Sequence, residues 1–375
     1  MLVHAQPYRS IWRDGAVVHV IDQTVLPHRF ASRALHTLAD ATAAIRQMVV
    51  RGAPLIGVTG AYGIALALRD DAGDDALAAA AKALIATRPT AINLRWAVEQ
   101  TAQQLRAIPA PARQHAAFEL ADALAQSDVD TNAAIGRHGA TLLRERWAAL
   151  GRPARLNVLT HCNAGWLGCV DWGTALAAIY QAHDGGVPIH VWIDETRPRN
   201  QGASLTTWEL AAHGVPATLI TDNAGGLLMQ QGQVDACIVG ADRVTARGDV
   251  CNKVGTYLKA LAAHAHDIPF YVALPVSTID WQAWDGMREI EIENRDPAEV
   301  THISGRTETG ELVRVQLVPD GTVAHNPAFD VTPAQWVTAL VTERGVVPAT
   351  ESGLRSLRGE GAHVARTALP AGAAT

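Results

Sequence analysis

Two side chains in the second half of the chain could carry acid–base or nucleophilic chemistry. Cys162 lies in the segment THCNAG (160–165), directly after an apolar run. A thiol there is either a reactive group or a small buried hydrophobic residue, and spacing alone leaves the two interpretations even. Asp242 closely follows the run CIVG (237–240). An apolar wall would raise the pKa of Asp242 and keep it protonated, as a general acid must be, whereas the alternative is a solvated loop carboxylate or a helix cap.

A lysine near these residues is a candidate for binding an anion. Lysine is rare in this chain, and Lys253 lies in the segment VCNKVGT (250–256). We predict that Asn252 caps a helix beginning there, which puts Lys253 in the first helical turn. A cation is unfavourable at a helix start, and a bound anion would remove the conflict. The pattern therefore favours an anion site over an incidental surface charge.

Two arginines in the first half of the chain are further candidates. Arg51 leads the turn RGAP (51–54) between two apolar segments, and Arg95 lies in the apolar segment AINLRWAV (91–98). An arginine flanked by Leu94 and Trp96 can extend to solvent, pair with an internal carboxylate, or reach across a cleft to a phosphate. The spacing leaves these three possibilities open.

The elements that would position these residues form two different patterns. Residues 16–23 alternate between apolar and polar, which predicts a short hairpin, and apolar residues recur at helical spacing from about 34 to 147. After residue 153, short apolar runs alternate with helical segments. The runs are 155–161, 187–195, 215–221, 234–242 and 268–274. Such alternation with uniformly apolar strands predicts a parallel sheet covered on both faces.

We therefore predict an α/β fold with a boundary near residue 150. Residues 1–150 form a mainly helical N-terminal domain with a short β-hairpin. Residues 151–348 form a Rossmann-like, doubly wound parallel-sheet domain, and the Gly-, Ala- and Arg-rich residues 349–375 form a disordered tail. Ligands bind at the carboxyl ends of strands in such sheets, so the polar residues that follow each run should converge on one rim.

Composition and motifs exclude several functions. The net charge of −6 and the pI near 6.2 argue against a nucleic-acid partner. No apolar run predicts a membrane span, and residues 1–15 lack the charged-then-apolar arrangement of a signal peptide. We therefore expect a cytoplasmic protein with reduced thiols. The four cysteines show no zinc-site spacing, and no glycine fingerprint for a nicotinamide cofactor follows the first predicted sheet strand.

Several segments together resemble the 5-methylthioribose-1-phosphate isomerase family. The wider family includes regulatory subunits of a translation-initiation nucleotide exchange factor. The resemblance covers about residues 8–346, and its segments are RGAPLIGVTGAYGIALA (51–67), RPTAINLRW (88–96), LTHCNAG (159–165), WIDETRPRNQGASLTTWEL (192–210), TDNAGG (221–226), VGADRVTARGDVCNKVGTY (239–257) and NPAFDVTPA (326–334).

The resemblance implies a role for individual residues. Cys162 matches the catalytic cysteine of the family and Asp242 its proton donor, while Cys251 stands where the family usually has alanine. The implied substrate contacts are Arg51, Gly52, Ala53, Arg95, Gln201, Asn252 and Lys253. The resemblance further implies a sugar-phosphate substrate, a homodimer, and catalysis without a metal or other cofactor.

The implied reaction converts an aldose 1-phosphate, 5-methylthioribose 1-phosphate, into the corresponding ketose in methionine salvage. Asp242 would protonate the ring oxygen and open the ring, and Cys162 would act as a base or stabilise the transition state. One alternative is an isomerase of a related sugar phosphate, ribose 1,5-bisphosphate or 5-deoxyribose 1-phosphate. Another is a non-catalytic regulatory subunit, which predicts loss of the cysteine or the aspartate.

Overall fold

The first part of the chain is mainly helical and is built around one buried helix. The computed structural model describes residues 1–3 and 6–358. The helices of this part are α1 (Leu38–Arg46), α2 (Ala53–Ala67), α3 (Asp74–Ile85), α4 (Ile92–Arg106) and α5 (Ala110–Ala149). Residues 55–66 of α2 are all buried, because this helix is apolar on every face. Its neighbours hold α2 in place, and its N-terminus points to the rest of the molecule.

Short strands precede these helices. They are β1 (Leu2–Val3), β2 (Gln6–Pro7), β3 (Ile11–Asp14), β4 (Val17–Ile21) and β5 (Ser32–Leu35). The predicted hairpin corresponds to β3 and β4, which pair antiparallel around Gly15, with φ at +58°. The structure adds β5 as a third strand beside β4. The prediction missed β5 because three of its four residues are exposed, so it has no apolar alternation.

The second part contains the predicted parallel sheet. Its strands are β6 (Leu156–Thr160), β7 (Ile189–Asp194), β8 (Ala217–Ile220), β9 (Ala236–Val239), β12 (Phe270–Ala273), β17 (Ala339–Thr342) and β18 (Gly345–Val347). They lie in the order β18-β17-β12-β9-β6-β7-β8, and all pairs are parallel except β17 with β18. The five predicted runs are β6, β7, β8, β9 and β12, so the predicted α/β class is confirmed.

A smaller sheet corrects one local prediction. It has the order β13-β10-β11-β16, formed by β10 (Arg243–Thr245), β11 (Val250–Lys253), β13 (Ile279–Asp280) and β16 (Phe329–Thr332). Asn252 and Lys253 are therefore the last residues of a strand, not the cap and first turn of a helix. The helix begins later, at Thr256, after Gly255 with φ at +105°. Strand β11 pairs with β16, about 80 positions further along the chain, and local sequence does not reveal that pairing.

The remaining elements surround the two sheets. Strands β14 (His302–Arg306) and β15 (Leu312–Gln316) form an exposed hairpin. The helices of this part are α6 (Ala175–Asp184), α7 (Thr207–His213), α8 (Ala224–Gln230), α9 (Thr256–Ala265), α10 (Gly286–Glu289), α11 (Ala298–Thr301) and α12 (Glu351–Ser356). A π-helical turn, Gly202–Thr206, leads into α7. None of the helices in the described residues is long and apolar enough to cross a membrane.

The predicted domain boundary near residue 150 falls between two elements. Helix α5 ends at Ala149 and β6 begins at Leu156, on either side of the predicted boundary, and the division into domains stays a prediction. The predicted disordered tail begins too early, because α12 lies inside it, and Leu354 of α12 and Leu357 directly after it pack into the core. Residues 359–375 lie outside the described residues.

Candidate active site

A cavity of about 110 Å³ lies between the helical part and the carboxyl ends of the sheet strands. The helical part contributes residues 51–54 at the start of α2, and Arg88 and residues 90–92 before and at the start of α4. The loops after β6 and β9 contribute residues 161–165 and 240–243, and the smaller sheet contributes residues 251–253. The predicted convergence of polar residues on one rim is therefore present in the structure.

Cys162 is held in an unusual backbone conformation at this rim. Its φ is +66°, in the left-handed region that non-glycine residues rarely adopt. Its amide donates to Thr196 Oγ1 at 2.8 Å, and its carbonyl accepts from Thr206 Oγ1 at 2.7 Å. The thiol is 8 % exposed and donates to Gln201 Oε1 at 3.3 Å. These contacts direct Sγ into the cavity beside Gln201, one of the predicted substrate contacts.

Asp242 lies on the same cavity wall, after β9. Its amide donates to the carbonyl of Cys251 at 2.9 Å, which ties it to the smaller sheet. The side chain is half-buried, and no hydrogen bond from the described residues engages its carboxylate. The carboxyl group is therefore available to a ligand in the cavity.

Asn252 and Lys253 line the cavity at the end of β11. The side-chain Nδ2 of Asn252 donates to Thr256 Oγ1 at 3.0 Å. Lys253 is buried, donates to the carbonyl of Ala328 at 2.8 Å, and lies 4.5 Å from the ring centre of Phe329. Burial, followed by the nearby Arg295 charge, lowers the pKa of Lys253 to about 8, although Cys162 and Asp242 act in the opposite direction. Lys253 thus brings a cation to the cavity, but from the end of a strand and not from the first turn of a helix as predicted.

The segment Arg51–Ala53 brings a guanidinium and a helix N-terminus to the cavity. Arg51 donates to both the side-chain and the main-chain oxygen of Asn163, in the loop after β6. Gly52 has φ at +91°, and a Cβ there would lie 2.4 Å from the carbonyl oxygen of Gly168. Glycine is required at this close approach. The N-terminus of α2, at Ala53, lines the cavity and carries a partial positive charge, which favours an anion.

Glu209 on α7 organises the loop that carries Asn163. It is buried and accepts from Asn163 Nδ2 at 3.0 Å, from the amides of Trp166 and Leu167 at 2.9 and 3.0 Å, and from Tyr180 Oη at 2.8 Å. Burial raises its pKa, and these hydrogen bonds oppose the rise only in part. Glu209 therefore orients Asn163, which in turn orients Arg51. Sequence reasoning did not single it out, since it lies well beyond the loop after β7.

The structure does not bring Arg95 to the cavity. Its side chain is 51 % exposed and pairs with Glu99 at 3.5 Å on the solvent face of α4. Asn93, Leu94 and Ala97 form the buried face of this helix, so Arg95 points the other way. This placement corrects the predicted assignment of Arg95 as a substrate contact.

Arg88 and Arg295 are cavity residues that sequence reasoning missed. Both lie against Glu293, whose carboxylate accepts from Arg88 Nη2 at 2.9 Å and from Arg295 Nε at 3.0 Å. Arg88 leads the turn RPT before α4, as Arg51 leads RGAP before α2, and this repeated pattern could have identified it. Arg295 follows a loop without such a pattern.

Among the described residues, one group of side chains has the composition of a metal site, but a cation already lies beside it. His161, Asp194 and Asp222 lie close together. The ammonium of Lys259 is 3.3 Å from Asp194 Oδ2 and donates to the carbonyl of Asp222. Because this ammonium neutralises the carboxylate, the residues present do not fit a metal ion.

The fold and the site identify the class of protein. The sequence model of the Initiation factor 2 subunit family matches residues 49–349, and the chain belongs to that family. Curated relatives with 55–61 % identity are named methylthioribose-1-phosphate isomerase. One from Methylorubrum populi is 61 % identical over 95 % of this chain and 98 % of its own length, and one from Rhodospirillum rubrum is 56 % identical over 100 % and 97 %. The chain therefore also belongs, within the wider family, to the methylthioribose-1-phosphate isomerases.

Solved structures agree with this assignment. A 5-methylthioribose 1-phosphate isomerase from Pyrococcus horikoshii is 38 % identical with a TM-score of 0.81, over 94 % of this chain and 96 % of that one. A structure described as translation initiation factor eIF-2B, subunit delta, from A. fulgidus is 40 % identical with a TM-score of 0.75, over 91 % and 96 %. The predicted family resemblance is thus confirmed in both its narrow and its wide sense.

Proposed function

We propose that this chain is an aldose–ketose isomerase that converts 5-methylthioribose 1-phosphate to 5-methylthioribulose 1-phosphate, a step of methionine salvage. The names and high identities of the curated relatives carry this assignment. The cavity supports it, because it combines a thiol, a free carboxyl group and several cations. The regulatory-subunit alternative predicted loss of the thiol or the carboxyl group, and both are present.

The phosphate group of the substrate needs a cationic site, and the cavity offers one. Its basic side chains outnumber its acidic ones, and Arg51 and Lys253 are buried, which is costly without an anion. We assign the phosphate to the N-terminus of α2 together with Arg51, Arg88, Lys253 and Arg295. Gln201 and Asn252 are then the neutral contacts for the sugar hydroxyls. No step of this binding requires a metal.

The reaction begins with ring opening, because the phosphate on C1 prevents a free aldehyde from forming. Asp242 donates its proton to the ring oxygen, and the bond between C1 and that oxygen breaks with its electron pair staying on oxygen. A hydrogen from C2 then moves to C1, and the hydroxyl proton on C2 is lost as the ketone forms. That proton returns to Asp242, so the enzyme ends in its starting state. Cys162 acts at the C2 transfer, as the base or by stabilising the transition state.

Two substitutions test these roles. We expect Asp242→Asn and Cys162→Ser each to lower kcat by at least about a hundredfold, since each removes a group that handles the reacting atoms. Asp235→Asn is the matched control, because Asp235 lies at the opposite, amino end of β9 and accepts from the amide of Asn157. The measurement is NMR detection of the ketose from 5-methylthioribose 1-phosphate. Near-normal turnover by either variant would contradict the assigned role.

The same assay distinguishes the alternative substrates. Ribose 1,5-bisphosphate and 5-deoxyribose 1-phosphate are offered to the wild-type protein at equal concentration. We expect kcat/KM to be highest for the methylthio sugar. A higher value for either competitor would reassign the substrate but not the reaction, and no turnover of any of the three would return the regulatory alternative.

We also assign the protein to the cytoplasm as a homodimer. All four cysteines are free and buried, which suits a reducing compartment.

Leu227 on α8 and Leu258 on α9 are more than half exposed on two adjacent helices, a feature typical of interaction surfaces. Light scattering tests the assembly, and a monomer at micromolar concentration would contradict it.

A further inference from the structure

We propose that His161 is a positioning residue for the isomerisation, a doubly protonated ring that holds the Cys162 turn at a fixed distance from the strand end carrying Lys253. The inference rests on the proposed function for its kinetic readout. Its structural basis is a buried network behind the cavity, which the mechanism above does not use.

Two adjacent parallel strands bring His161 to its first partner. Thr160 at the end of β6 pairs with Ile193 of β7, so the next residues, His161 and Asp194, lie side by side. His161 Nδ1 is 2.8 Å from Asp194 Oδ2, and the two side chains are 1 % and 0 % exposed. Such a contact in a dry interior is strong and directional.

The second partner comes from the other side of the cavity. His161 Nε2 is 2.8 Å from the carbonyl oxygen of Val254, which directly follows Lys253. The His161 ring also packs closely on Gly255, since a Cβ at Gly255 would lie 2.9 Å from His161 Cε1. His161 therefore bridges the turn of Cys162 and the end of β11, the two segments that meet the substrate.

The partners determine the protonation of the ring. A backbone carbonyl only accepts, and so does an ionised carboxylate, whereas a neutral imidazole has a single N–H. Lys259 Nζ lies 3.3 Å from Asp194 Oδ2, so this oxygen already faces an ammonium, which can only donate. The neighbouring Asp222 is 4.0 Å from Nδ1, and its two oxygens accept from the amides of Thr196 and Arg197. Both contacts of His161 are thus hydrogen bonds that the ring donates, as an imidazolium.

This bridge should affect turnover more than substrate binding. Lys253 keeps its contacts with Ala328 and Phe329 and its strand pairing without His161, so its position survives. Cys162 loses its link to the end of β11, and its thiol is no longer held at a fixed position relative to the bound sugar. Misplacement of a reacting group by about 1 Å costs roughly a hundredfold in rate.

The test uses His161→Ala, which opens a void onto the cavity because His161 lines it. We expect kcat to fall by about a hundredfold while KM changes by less than about threefold. Adding 4-methylimidazole should restore at least about tenfold of the lost kcat, because its protonated ring donates at both nitrogens. 1-Methylimidazole has the same size but only one N–H, and it should fail. Equal rescue by both compounds, or an unchanged kcat in the variant, would overturn the proposal.

His190→Ala is the matched control, since His190 is buried on β7 but bonds Thr218 away from the cavity. It should keep kcat and respond to neither compound. If His161→Ala does not fold, NMR of the wild-type protein with ¹⁵N-labelled histidine decides, because the His161 ring must carry a proton on each nitrogen. A single N–H would refute the proposal. Absence of wild-type turnover would refute only the proposed function, and the NMR result would still stand.

Discussion

Lys253 is the residue whose environment gives the clearest pH dependence. Its ammonium is charged below a pKa of about 8 and neutral above it. We expect kcat/KM to fall about tenfold per pH unit above 8, because the free enzyme then loses a cation that we propose binds the phosphate. The falling limb of kcat should lie at higher pH, since a bound dianion stabilises the charged lysine. A pH–rate profile measures both limbs, and Lys253→Arg should remove the limb near pH 8 because guanidinium stays charged.

The same lysine makes a separate prediction for stability. Its pKa is lower in the folded chain than in the unfolded chain, where it is near 10.5. Between pH 8 and 10.5 the unfolded chain therefore binds more protons, and the contribution of Lys253 to stability rises with pH in that window. Urea unfolding of wild type and Lys253→Met at several pH values tests the sign. A wild-type advantage that shrinks from pH 8 to 10 would contradict it.

At the scale of elements, the close contact of α2 with the loop after β6 fixes the N-terminus of α2, where we propose that the phosphate binds. Gly52→Ala places a Cβ 2.4 Å from the oxygen of Gly168 at a φ of +91°. We expect a loss of about 2–5 kcal/mol in unfolding free energy, from left-handed strain plus overpacking. KM should also rise, because the N-terminus of α2 must move away from the cavity.

Gly15→Ala is the control for this effect. Gly15 also has positive φ, +58°, but a Cβ there meets nothing within 4 Å. Its substitution should cost only about 1 kcal/mol and leave KM unchanged. Equal losses in the two variants, measured by urea unfolding, would show that the contact with Gly168 is unimportant.

The elements also show how far the sequence could predict the site. The apolar runs identified β6, β7 and β9, and their ends located Cys162 and Asp242, because strand burial is a local property of sequence. The error at Lys253 arose where β11 pairs with the distant β16, which no local pattern encodes. Arg95 was assigned by resemblance, but the face of α4 that it occupies depends on packing against α2.

At the scale of the whole molecule, the cavity exists only where its two parts meet, and Glu293 joins them. Its carboxylate bonds Arg88 before α4 and Arg295 in the second part of the chain, and Thr90 Oγ1 lies 3.4 Å away. Burial acts to raise the pKa of Glu293, but the contacts with Arg295 and Arg88 outweigh it and lower the pKa. The carboxylate is therefore ionised and holds two guanidinium groups at the cavity.

Glu293→Ala tests whether this carboxylate links the two parts of the molecule. The two mostly buried guanidiniums lose their shared acceptor and repel each other, so we expect unfolding free energy to fall by about 1–3 kcal/mol. KM should rise more than kcat falls, because both arginines are proposed contacts of the phosphate and neither is assigned to the reacting carbons. Hydrogen exchange near Ile92 should speed up as the start of α4 loosens.

Glu351→Ala, which breaks an exposed pair with Arg355, is the control and should change the unfolding free energy by less than about 0.5 kcal/mol. If both variants behave alike in urea and in KM, Glu293 does not hold the two parts together.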